Sequence, residues 1–345
     1  MVLGRMSPMT KVALVGYGYW GPNLLRNFYE TPNCEVLYCC DKDTSRLKLV
    51  RKRYPSVILT SSFTDILKDE EVDAVIIAVP NKLHYKMAKQ VIEAGKDVLI
   101  EKPMTLTAKE ARDLTTTAKR KKRIVMVDHV FLFTQAVRKL KQIIDSGKIG
   151  EIVYIDSVRV NLGLFQKDSN VIYDLATHDI SILKYLLGKD PNTVSCTGKS
   201  YFGRYEEVAY LHLDYPGKMS CHVHVSWLSP LKVRRMMIVG TKKMVVYDDV
   251  ETSEKIKIYD KGIMVDGLKG APKKARLVRV GYRSGDIWSP HTDIVEALSV
   301  MSKEFVEAVE KRKEHFSNGK FGQSVVNVLE KATISSKQRK AIRLI

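Results

Sequence analysis

An apolar run that leads directly into a glycine-rich turn constrains this chain more than any other feature. Val12–Val15 form the run, and Gly16, Gly18 and Gly21 follow at the spacing Gly-x-Gly-x-x-Gly, before an apolar helical segment that starts near Leu24. The pattern predicts a strand, a tight turn and a helix. In such a unit the first glycine permits the turn, the second lets the backbone approach a pyrophosphate, and the third lets the helix pack on the strand.

An acidic residue follows the next apolar run at the spacing that this motif requires. Residues 35–40 are strand-like and end at Asp41, which lies 20 residues beyond Gly21. A carboxylate at that strand end accepts the hydroxyls of an adenosine ribose and repels a 2′-phosphate. The stretch therefore predicts a dinucleotide site that prefers NAD to NADP, although the basic residues Lys42 and Arg46 could hold a 2′-phosphate.

Alternating strands and helices continue to about residue 125, which predicts a parallel sheet covered on both faces. Beyond it, alternating strand-like segments predict an α+β unit on a mostly antiparallel sheet, with a long loop over residues 267–290 and two closing helices. The domain prediction is a leader at 1–10, a Rossmann domain at 11–128 and a substrate and oligomerisation domain at 129–345. In this prediction, the last helix of the second domain can pack on the first domain.

Charge and cysteine content limit the function classes. The formal net charge is +18, but the basic residues are dispersed and no nucleic-acid motif accompanies them, so an anionic small substrate is favoured over nucleic acid. The cysteines are five in number, without a C-x-x-C spacing, which argues against a disulfide framework and for a cytoplasmic protein. No apolar run reaches the roughly 20 residues of a membrane span, so no membrane partner is expected.

Lys102 is the first candidate for chemistry. It follows the apolar strand-like residues 98–100 within Glu101-Lys102-Pro103, and Pro103 disfavours helical geometry at the lysine. Ligands of open α/β sheets bind at the carboxyl ends of the strands, which favours an active-site lysine over a surface Glu-Lys pair. The loop from Val79 to His84 leaves the sheet at the same end.

Asp174 and His178 form the second candidate. At a spacing of four residues they share one helical face, so the carboxylate can orient the imidazole as a base. The alternative is that Asp174 caps the helix and His178 is a core histidine. His222 and His224 share a strand face, but no third ligand accompanies them, and no metal site is predicted.

Together these features resemble the Gfo/Idh/MocA oxidoreductases, the family of glucose–fructose oxidoreductase and inositol dehydrogenase. The shared elements are the glycine turn with Asp41, the Val-Pro-Asn-x-x-His loop, the Glu-Lys-Pro triplet and the Asp174-x-x-x-His178-Asp179 helix. The resemblance implies an N-terminal Rossmann domain, a C-terminal open sheet and a homodimer or homotetramer formed through that sheet. Residues 130–133 (Val-Phe-Leu-Phe) depart from the family, in which an Arg or Tyr is common nearby.

The resemblance also implies roles for residues. Lys102 corresponds to the active-site lysine, His178 to the proton-transferring histidine and Asp174 to the carboxylate beside it. The residues expected to bind the cofactor are Gly16, Gly18, Tyr19, Trp20, Gly21, Asp41, Lys42, Arg46, Val79, Pro80, Asn81, His84, Glu101, Lys102 and His129. The residues expected to bind the substrate are Lys102, Arg159, Asn161, Asn170, Asp174 and His178, with basic groups of 272–283 meeting a pyrophosphate.

Two segments are similar to those of family members that oxidise UDP-N-acetylglucosamine or its uronic acid at C3. They are the glycine turn, with the sequence Gly-Tyr-Gly-Tyr-Trp-Gly-Pro-Asn-Leu, and residues 159–164, with the sequence Arg-Val-Asn-Leu-Gly-Leu. The expected activity is therefore NAD-dependent oxidation of a secondary sugar hydroxyl. Two alternatives remain: an NAD(P)-dependent dehydrogenase or reductase of a free sugar, inositol or keto-sugar, and an NAD-sensing regulatory protein on the same fold. Lys102 and His178 could also exchange their proton-transfer roles.

Overall fold

A computed structural model describes residues 9–163, 165, 169–266 and 279–344 of the chain. These residues form two compact units. The first contains residues 9–134, 169 and 295–330, and the second contains 135–163, 165, 170–266, 279–294 and 331–344. The domain limits expected at residues 10 and 128 stay a prediction, because a domain is defined by its ability to fold alone.

The first unit contains a six-stranded sheet in which every strand pair is parallel, with the order β3-β2-β1-β4-β5-β6. Its elements are β1 Thr10–Val15, α1 Gly21–Tyr29, β2 Cys34–Cys40, α2 Thr44–Arg53, β3 Ile58–Thr60, α3 Phe63–Lys68, β4 Ala74–Ile77, α4 Asn81–Glu93, β5 Asp97–Glu101, α5 Ala108–Lys121, β6 Val125–Asp128 and a 3₁₀ turn at Val130–Phe133.

Apolar strand sequences explain why this sheet is buried. All four residues of β4 and all five of β5 are buried, as expected for a parallel sheet with helices on both faces. The strand order reverses between β1 and β4, which creates a crevice outside their carboxyl ends. The predicted Rossmann architecture is thereby confirmed, and its ligand-binding edge is the one that carries Gly16 and Lys102.

A C-terminal segment completes the first unit. Helix α8, Ala297–Glu310, packs on α1 through Phe28 and Phe305, whose ring centres are 6.0 Å apart in an edge-to-face arrangement. Arg26 at the end of α1 pairs with Glu296, at 2.5 Å. Residues 129–134 and 295–330, which the sequence places in the second domain, therefore group with the first unit.

The second unit contains a nine-stranded sheet with the order β14-β13-β12-β11-β7-β10-β9-β8-β15. All its strand pairs are antiparallel except β7 with β10. Its elements are α6 Gln135–Asp145, β7 Ile152–Leu162, a π-helical turn Ile172–Ala176, α7 Thr177–Leu187, β8 Thr193–Lys199, β9 Val208–Asp214, β10 Ser220–Ser226, β11 Leu228–Gly240, β12 Met244–Asp248, β13 Ile256–Asp266, β14 Arg279–Trp288 and β15 Ile342–Arg343; helix α9, Gly319–Gln338, contributes residues to both units.

The expected loop at 267–290 is wrong over its second half. Residues 279–288 form β14, which pairs with β13 at the edge of the sheet. Tyr282 is 80% exposed and Ile287, on the other face, is 58% exposed; none of residues 281–288 is buried, so no buried face imposes an apolar alternation on this part of the sequence. The other half of the expected loop, 267–278, lies outside the described residues. The mostly antiparallel second sheet is confirmed.

Candidate functional site

The glycine turn after β1 is enforced by sterics at two positions. Gly16 has a φ of +99°, and a Cβ placed there would lie 2.2 Å from the carbonyl oxygen of Ala78. A Cβ at Gly21 would lie 2.5 Å from the carbonyl oxygen of Gly16. Neither position can hold a larger residue without moving backbone, so both glycines are required for strand β1 and helix α1 to meet as they do.

The middle of this turn is open. A Cβ at Gly18 would meet one group within 4 Å, the guanidinium of Arg46 at 3.7 Å. Tyr19 and Trp20 flank it, with their rings exposed and edge to face. Helix α1 begins at Gly21 within the same turn, so the positive end of its dipole lies there, although Pro22 has no N–H and Asn23 and Leu24 donate to the carbonyl oxygen of Trp20. The turn therefore fits a dinucleotide pyrophosphate, which can approach the backbone without obstruction.

Asp41 ties the turn to the end of β2. Its carboxylate accepts hydrogen bonds from the backbone N–H groups of Tyr17, at 2.6 Å, and Asp43, at 2.8 Å. Two carboxylate oxygens offer about four acceptor positions, so ribose hydroxyls can still be bound. Arg46 lies 3.5 Å from Asp41, and Lys42 is exposed beside it. The carboxylate favours NAD, and the preference over NADP stays a prediction.

His84 connects the two loops at the carboxyl edge of the sheet. Its Nε2 lies 2.8 Å from the carbonyl oxygen of Val79, and its Nδ1 lies 2.8 Å from that of Pro103. The ring is buried, so it fixes the end of β4 against the turn that follows Lys102. Pro80 and Asn81, at the start of α4, are partly or fully exposed beside it. A direct contact of these loop residues with cofactor stays a prediction.

A pair of buried carboxyl groups lies next to Lys102. Glu101 and Asp128 are register partners on β5 and β6, and their side chains share a hydrogen bond. Burial raises the pKa of Glu101 well above its usual range, and the Asp128 carboxylate adds to that shift. Burial also raises the pKa of Asp128 to about 6, although the hydrogen bond from Glu101 and the charge of Lys102 oppose the increase. Because two adjacent carboxylates disfavour each other, the pair favours holding one proton beside Lys102.

His129 follows Asp128 and is 1% exposed. Burial, with a smaller contribution from the charge of Lys102, lowers the pKa of His129 to about 3. Its imidazole is therefore neutral at physiological pH and contacts Ser317 through Nδ1, at 3.0 Å. Glu101, Lys102, Asp128 and His129 thus form one cluster at the strand ends of the first unit.

In the second unit, Asp174 lies in the π-helical turn and His178 in the first turn of α7. The sequence predicted one uninterrupted helix here, and the structure instead inserts a wider turn, a feature often found at functional sites. The Asp174 carboxylate accepts a hydrogen bond from Nε1–H of Trp227, at 3.0 Å. Trp227 is 1% exposed and lies between β10 and β11. Its hydrogen bond therefore fixes the Asp174 carboxylate to the second sheet.

The remaining substrate candidates make structural contacts in the second unit. Arg159 is 3% exposed and donates through Nε to Asp179, at 2.7 Å, while Ser157 donates to the other oxygen of that carboxylate. Asn170 accepts from the N–H of Tyr173 and donates to Glu206, both at 3.0 Å, which supports the start of the π-helical turn. Substrate binding by Arg159 and Asn170 stays a prediction.

Two further predicted groups have different outcomes. Asn161 is on β7 and partly exposed, and its amide lies within 2.9 Å of where a Cβ of Gly163 would be. Of the basic groups at 272–283, those before 279 lie outside the described residues. Arg283 pairs with Asp260, at 3.0 Å, on neighbouring strands, so its charge is already partly balanced.

Sequence reasoning missed three residues: Asp128, Trp227 and Ser317. Asp128 had a signal, because it ends a strand beside the strand that leads to Lys102. Trp227 and Ser317 had none, since their partners are 53 and 188 positions away. Across the described residues, no three His, Cys, Asp or Glu side chains are arranged to hold a metal ion. Within the same residues, no helix is both long and apolar enough to cross a membrane.

The sheet order and the glycine turn define a dinucleotide-binding Rossmann unit. Comparison with protein families identifies the family to which this unit belongs. Residues 10–129 match the NAD-binding Rossmann fold of the Gfo/Idh/MocA oxidoreductase family, and residues 137–246 match the C-terminal domain of the same family. The chain therefore belongs to the Gfo/Idh/MocA oxidoreductases, as the sequence motifs indicate.

Individual curated relatives share low sequence identity with this chain and align with only part of it. The inositol 2-dehydrogenase of Salmonella typhimurium is 30% identical over 199 residues, which are 56% of this chain and 58% of that enzyme. The alignments span about 60% of the length of such curated relatives.

Solved structures cover the chain almost completely. An Agrobacterium radiobacter oxidoreductase in complex with NAD⁺, L-tartaric acid and magnesium has a TM-score of 0.82 at 18% identity, covering 97% of this chain and 98% of its own. A UDP-N-acetylglucosamine 3-dehydrogenase from Acidithiobacillus ferrooxidans has a TM-score of 0.78 at 21% identity, covering 95% and 97%. At these identities the likeness establishes a shared fold.

Proposed function

We propose that this protein oxidises a secondary hydroxyl of a sugar nucleotide, at C3 of a UDP-linked amino sugar (UDP-N-acetylglucosamine or its uronic acid). The observation that carries the proposal is Lys102 at the ligand-binding edge of an NAD-binding sheet, beside the Glu101–Asp128 carboxyl pair. A cation at that edge is suited to hold the oxygen of a hydroxyl that becomes a carbonyl.

The glycine turn and Asp41 are the residues that would hold the cofactor. NAD⁺, when bound, supplies the nicotinamide carbon that accepts a hydride from the carbinol carbon. His178 accepts the hydroxyl proton, and Asp174, fixed by Trp227, orients the imidazole. Lys102 donates a hydrogen bond to the substrate oxygen. A reversed assignment, with Lys102 as the proton acceptor, uses the same groups.

The substrate class rests on two sequence segments and on charge. The glycine turn with its Tyr-Trp pair and the segment 159–164 resemble members that act on UDP-linked sugars. The net charge of +18 suits an anionic diphosphate substrate. One solved protein with this fold is named as a UDP-N-acetylglucosamine 3-dehydrogenase, which supports the compatibility of the fold with such a substrate.

The test is reduction of NAD⁺ by the purified chain with UDP-N-acetylglucosamine, its uronic acid, UDP-glucose, glucose and myo-inositol, followed by NADH absorbance. We expect turnover with one of the two amino-sugar nucleotides and a much lower kcat/KM with UDP-glucose, which lacks the acetamido group. Turnover with myo-inositol or glucose alone would contradict the proposal.

A second candidate is a dehydrogenase of inositol, a free sugar or a keto-sugar, favoured by the 30% identity to an inositol 2-dehydrogenase. The same panel separates it from the first. If NADH binds tightly and no panel member is oxidised, a regulatory NAD sensor on this fold becomes the better account.

The further properties expected from sequence belong to this proposal as well. We infer a homodimer or homotetramer formed through the second sheet, acting in the cytoplasm without nucleic acid. Sedimentation of the purified chain at several concentrations measures the oligomeric state, and a concentration-independent monomer would contradict the inference.

A further inference from the structure

The segment before α9 lies alongside β6 and brings Ser317 next to the Lys102 cluster. The backbone N–H of Val127 donates to the carbonyl oxygen of Ser317, at 2.9 Å, and Met126 forms a bridge with Asn318. Ser317 is 0% exposed. The C-terminal segment therefore extends the edge of the parallel sheet at the point where β6 ends in Asp128 and His129.

Every polar group of Ser317 has a defined partner. Its N–H donates to Nδ1 of His315, at 3.1 Å, and its hydroxyl donates to the carbonyl oxygen of Val127, at 2.8 Å. Its hydroxyl oxygen also lies 3.0 Å from Nδ1 of His129. A serine hydroxyl has one proton, and a carbonyl oxygen cannot donate one. The bond between Ser317 and His129 is therefore donated by the imidazole, through Nδ1–H.

This donation fixes the tautomer of His129. A neutral imidazole carries one ring proton, so with the proton on Nδ1 the lone pair is on Nε2. Burial and the charge of Lys102 keep the ring neutral. The ring of Phe321 lies edge to face with it, 5.3 Å between centres, which restricts its rotation.

Nε2 of His129 is available as an acceptor. This nitrogen makes no hydrogen bond to another described residue. It is also not one of the fully buried polar atoms that lack a partner, so it is not sealed in the interior. His129 follows Asp128, the register partner of Glu101, so its ring is at the same strand-end cluster as the proposed active-site lysine.

We propose that Ser317 is a positioning residue that locks His129 in its Nδ1–H tautomer, so that Nε2 accepts a hydrogen bond from a ligand hydroxyl bound beside Lys102. The ligand part of this proposal rests on the proposed function. The hydroxyl belongs to the nicotinamide ribose or to the sugar, and the shared chemistry is a hydroxyl donor. This role differs from that of His178, because His129 accepts a hydrogen bond and stays neutral throughout.

The tautomer is tested first, by NMR of the full chain with ¹⁵N-labelled histidine. The ring nitrogens of His129 are assigned with His129→Asn, and long-range ¹H–¹⁵N correlations then identify the protonated one. We expect Nδ1–H in the natural chain and a shift of the proton to Nε2 in Ser317→Ala, where Nδ1–H would lose its buried acceptor. Ser302→Ala is the matched control, since Ser302 is also 0% exposed and bonds to Thr31. An Nε2–H tautomer in the natural chain would overturn the proposal, as would an unchanged tautomer in Ser317→Ala.

The ligand hydroxyl is tested by equilibrium binding, which needs no turnover. Dissociation constants are measured for NADH alone, and for UDP-N-acetylglucosamine in the presence of NADH. Loss of one hydrogen bond predicts about a tenfold weaker affinity in Ser317→Ala. His129→Asn should lose as much, since its amide reaches the position of Nδ1 and leaves nothing at Nε2.

The two affinities distinguish the sources of the hydroxyl. Weaker NADH binding assigns it to the ribose, and a loss confined to the sugar nucleotide assigns it to the substrate. If both affinities stay within twofold of the natural chain in both variants, the acceptor role is overturned. Failure of the sugar nucleotide to bind the natural chain contradicts the proposed substrate, while the tautomer and NADH measurements still decide the role of Ser317.

Discussion

The two candidate clusters differ in how the fold positions them. In the first unit, Lys102 and Asp128 follow from the ends of neighbouring parallel strands, so their place is set by backbone register. In the second unit, Asp174 lies within a π-helical turn, and its carboxylate accepts a hydrogen bond from Trp227, 53 positions away. A position set by backbone register is kept when neighbouring side chains change, whereas a carboxylate that accepts a hydrogen bond from a distant side chain is affected when that side chain is replaced. The two kinds of positioning should therefore respond differently to substitution.

The largest effect is expected at Lys102. Lys102→Met keeps the length of the side chain and removes its charge, so we expect kcat to fall by about 10²–10⁴-fold, the usual contribution of an acid–base group. Affinity for NADH should change little. The matched control is Lys82→Met, an exposed lysine at the start of α4. A kcat within threefold of the natural enzyme would remove Lys102 from the mechanism.

Trp227→Phe is expected to have the next largest effect. The phenylalanine keeps most of the buried ring but lacks the N–H that donates to Asp174, a bond to a charged group worth about 1.5–3 kcal/mol. We expect kcat to fall by about 10- to 100-fold with a small change in KM. The control is Trp288→Phe, an exposed tryptophan on β14. Lower thermal stability with an unchanged kcat would mean that Trp227 only fills the core, and the contrast between the two clusters would disappear.

The carboxyl pair of the first unit predicts a pH-dependent stability. The pKa of Asp128 is raised above its unfolded value near 4, so its stabilising contribution is present below pH ~4 and is lost as the pH rises through about 6. The free energy of unfolding of the natural chain should therefore decrease between pH 4 and 7. Asp128→Asn removes the titrating carboxyl, so this decrease should be smaller in the variant by about 2 kcal/mol. Urea unfolding at several pH values measures it.

Asp113→Asn provides the control for that series, because hydrogen bonding to Lys89 lowers the pKa of this exposed carboxyl instead. It should leave the slope above pH 5 unchanged. If Asp128→Asn has the same pH profile as the natural chain, the pair does not share a proton in the way that its burial implies.

The smallest effect is expected in cofactor choice. Asp41→Asn keeps an oxygen for the N–H of Tyr17 or Asp43 and removes the charge that opposes a 2′-phosphate. We expect the preference for NAD over NADP to narrow about tenfold, from the ratio of kcat/KM values. Asp43→Asn, which alters the cap of α2, is the control. Equal narrowing by both variants would show a general charge effect.

The parts of the site that depend on local pattern could be predicted from sequence. The apolar runs at Val12–Val15, 35–40 and 98–100 predicted β1, β2 and β5 within a few residues of their observed limits, because buried parallel strands are continuous apolar runs. The turn at Gly16 and the strand-end position of Lys102 follow from the same patterns. The edge strand β14 could not be found in this way, since none of its residues 281–288 is buried.

The contacts between distant residues were not predictable. Nothing near Ser317 in the sequence indicates that its hydroxyl contacts His129, and nothing near Trp227 indicates Asp174 as its partner. The i, i+4 spacing of Asp174 and His178 suggested one regular helix, but a π-helical turn precedes α7. Such contacts arise from the packing of separate elements, which no local periodicity records.

The central claim is hydride transfer from C3 of a UDP-linked amino sugar, and it is tested most directly with UDP-N-acetylglucosamine, or its uronic acid, deuterated at C3. The chain is incubated with NAD⁺ and the labelled substrate, and the reduced cofactor is examined by mass spectrometry. Our account predicts deuterium in the reduced nicotinamide and a slower rate than with the unlabelled sugar. Reduced cofactor without deuterium would contradict oxidation at C3, and no reduction with either sugar nucleotide would contradict the proposed substrate.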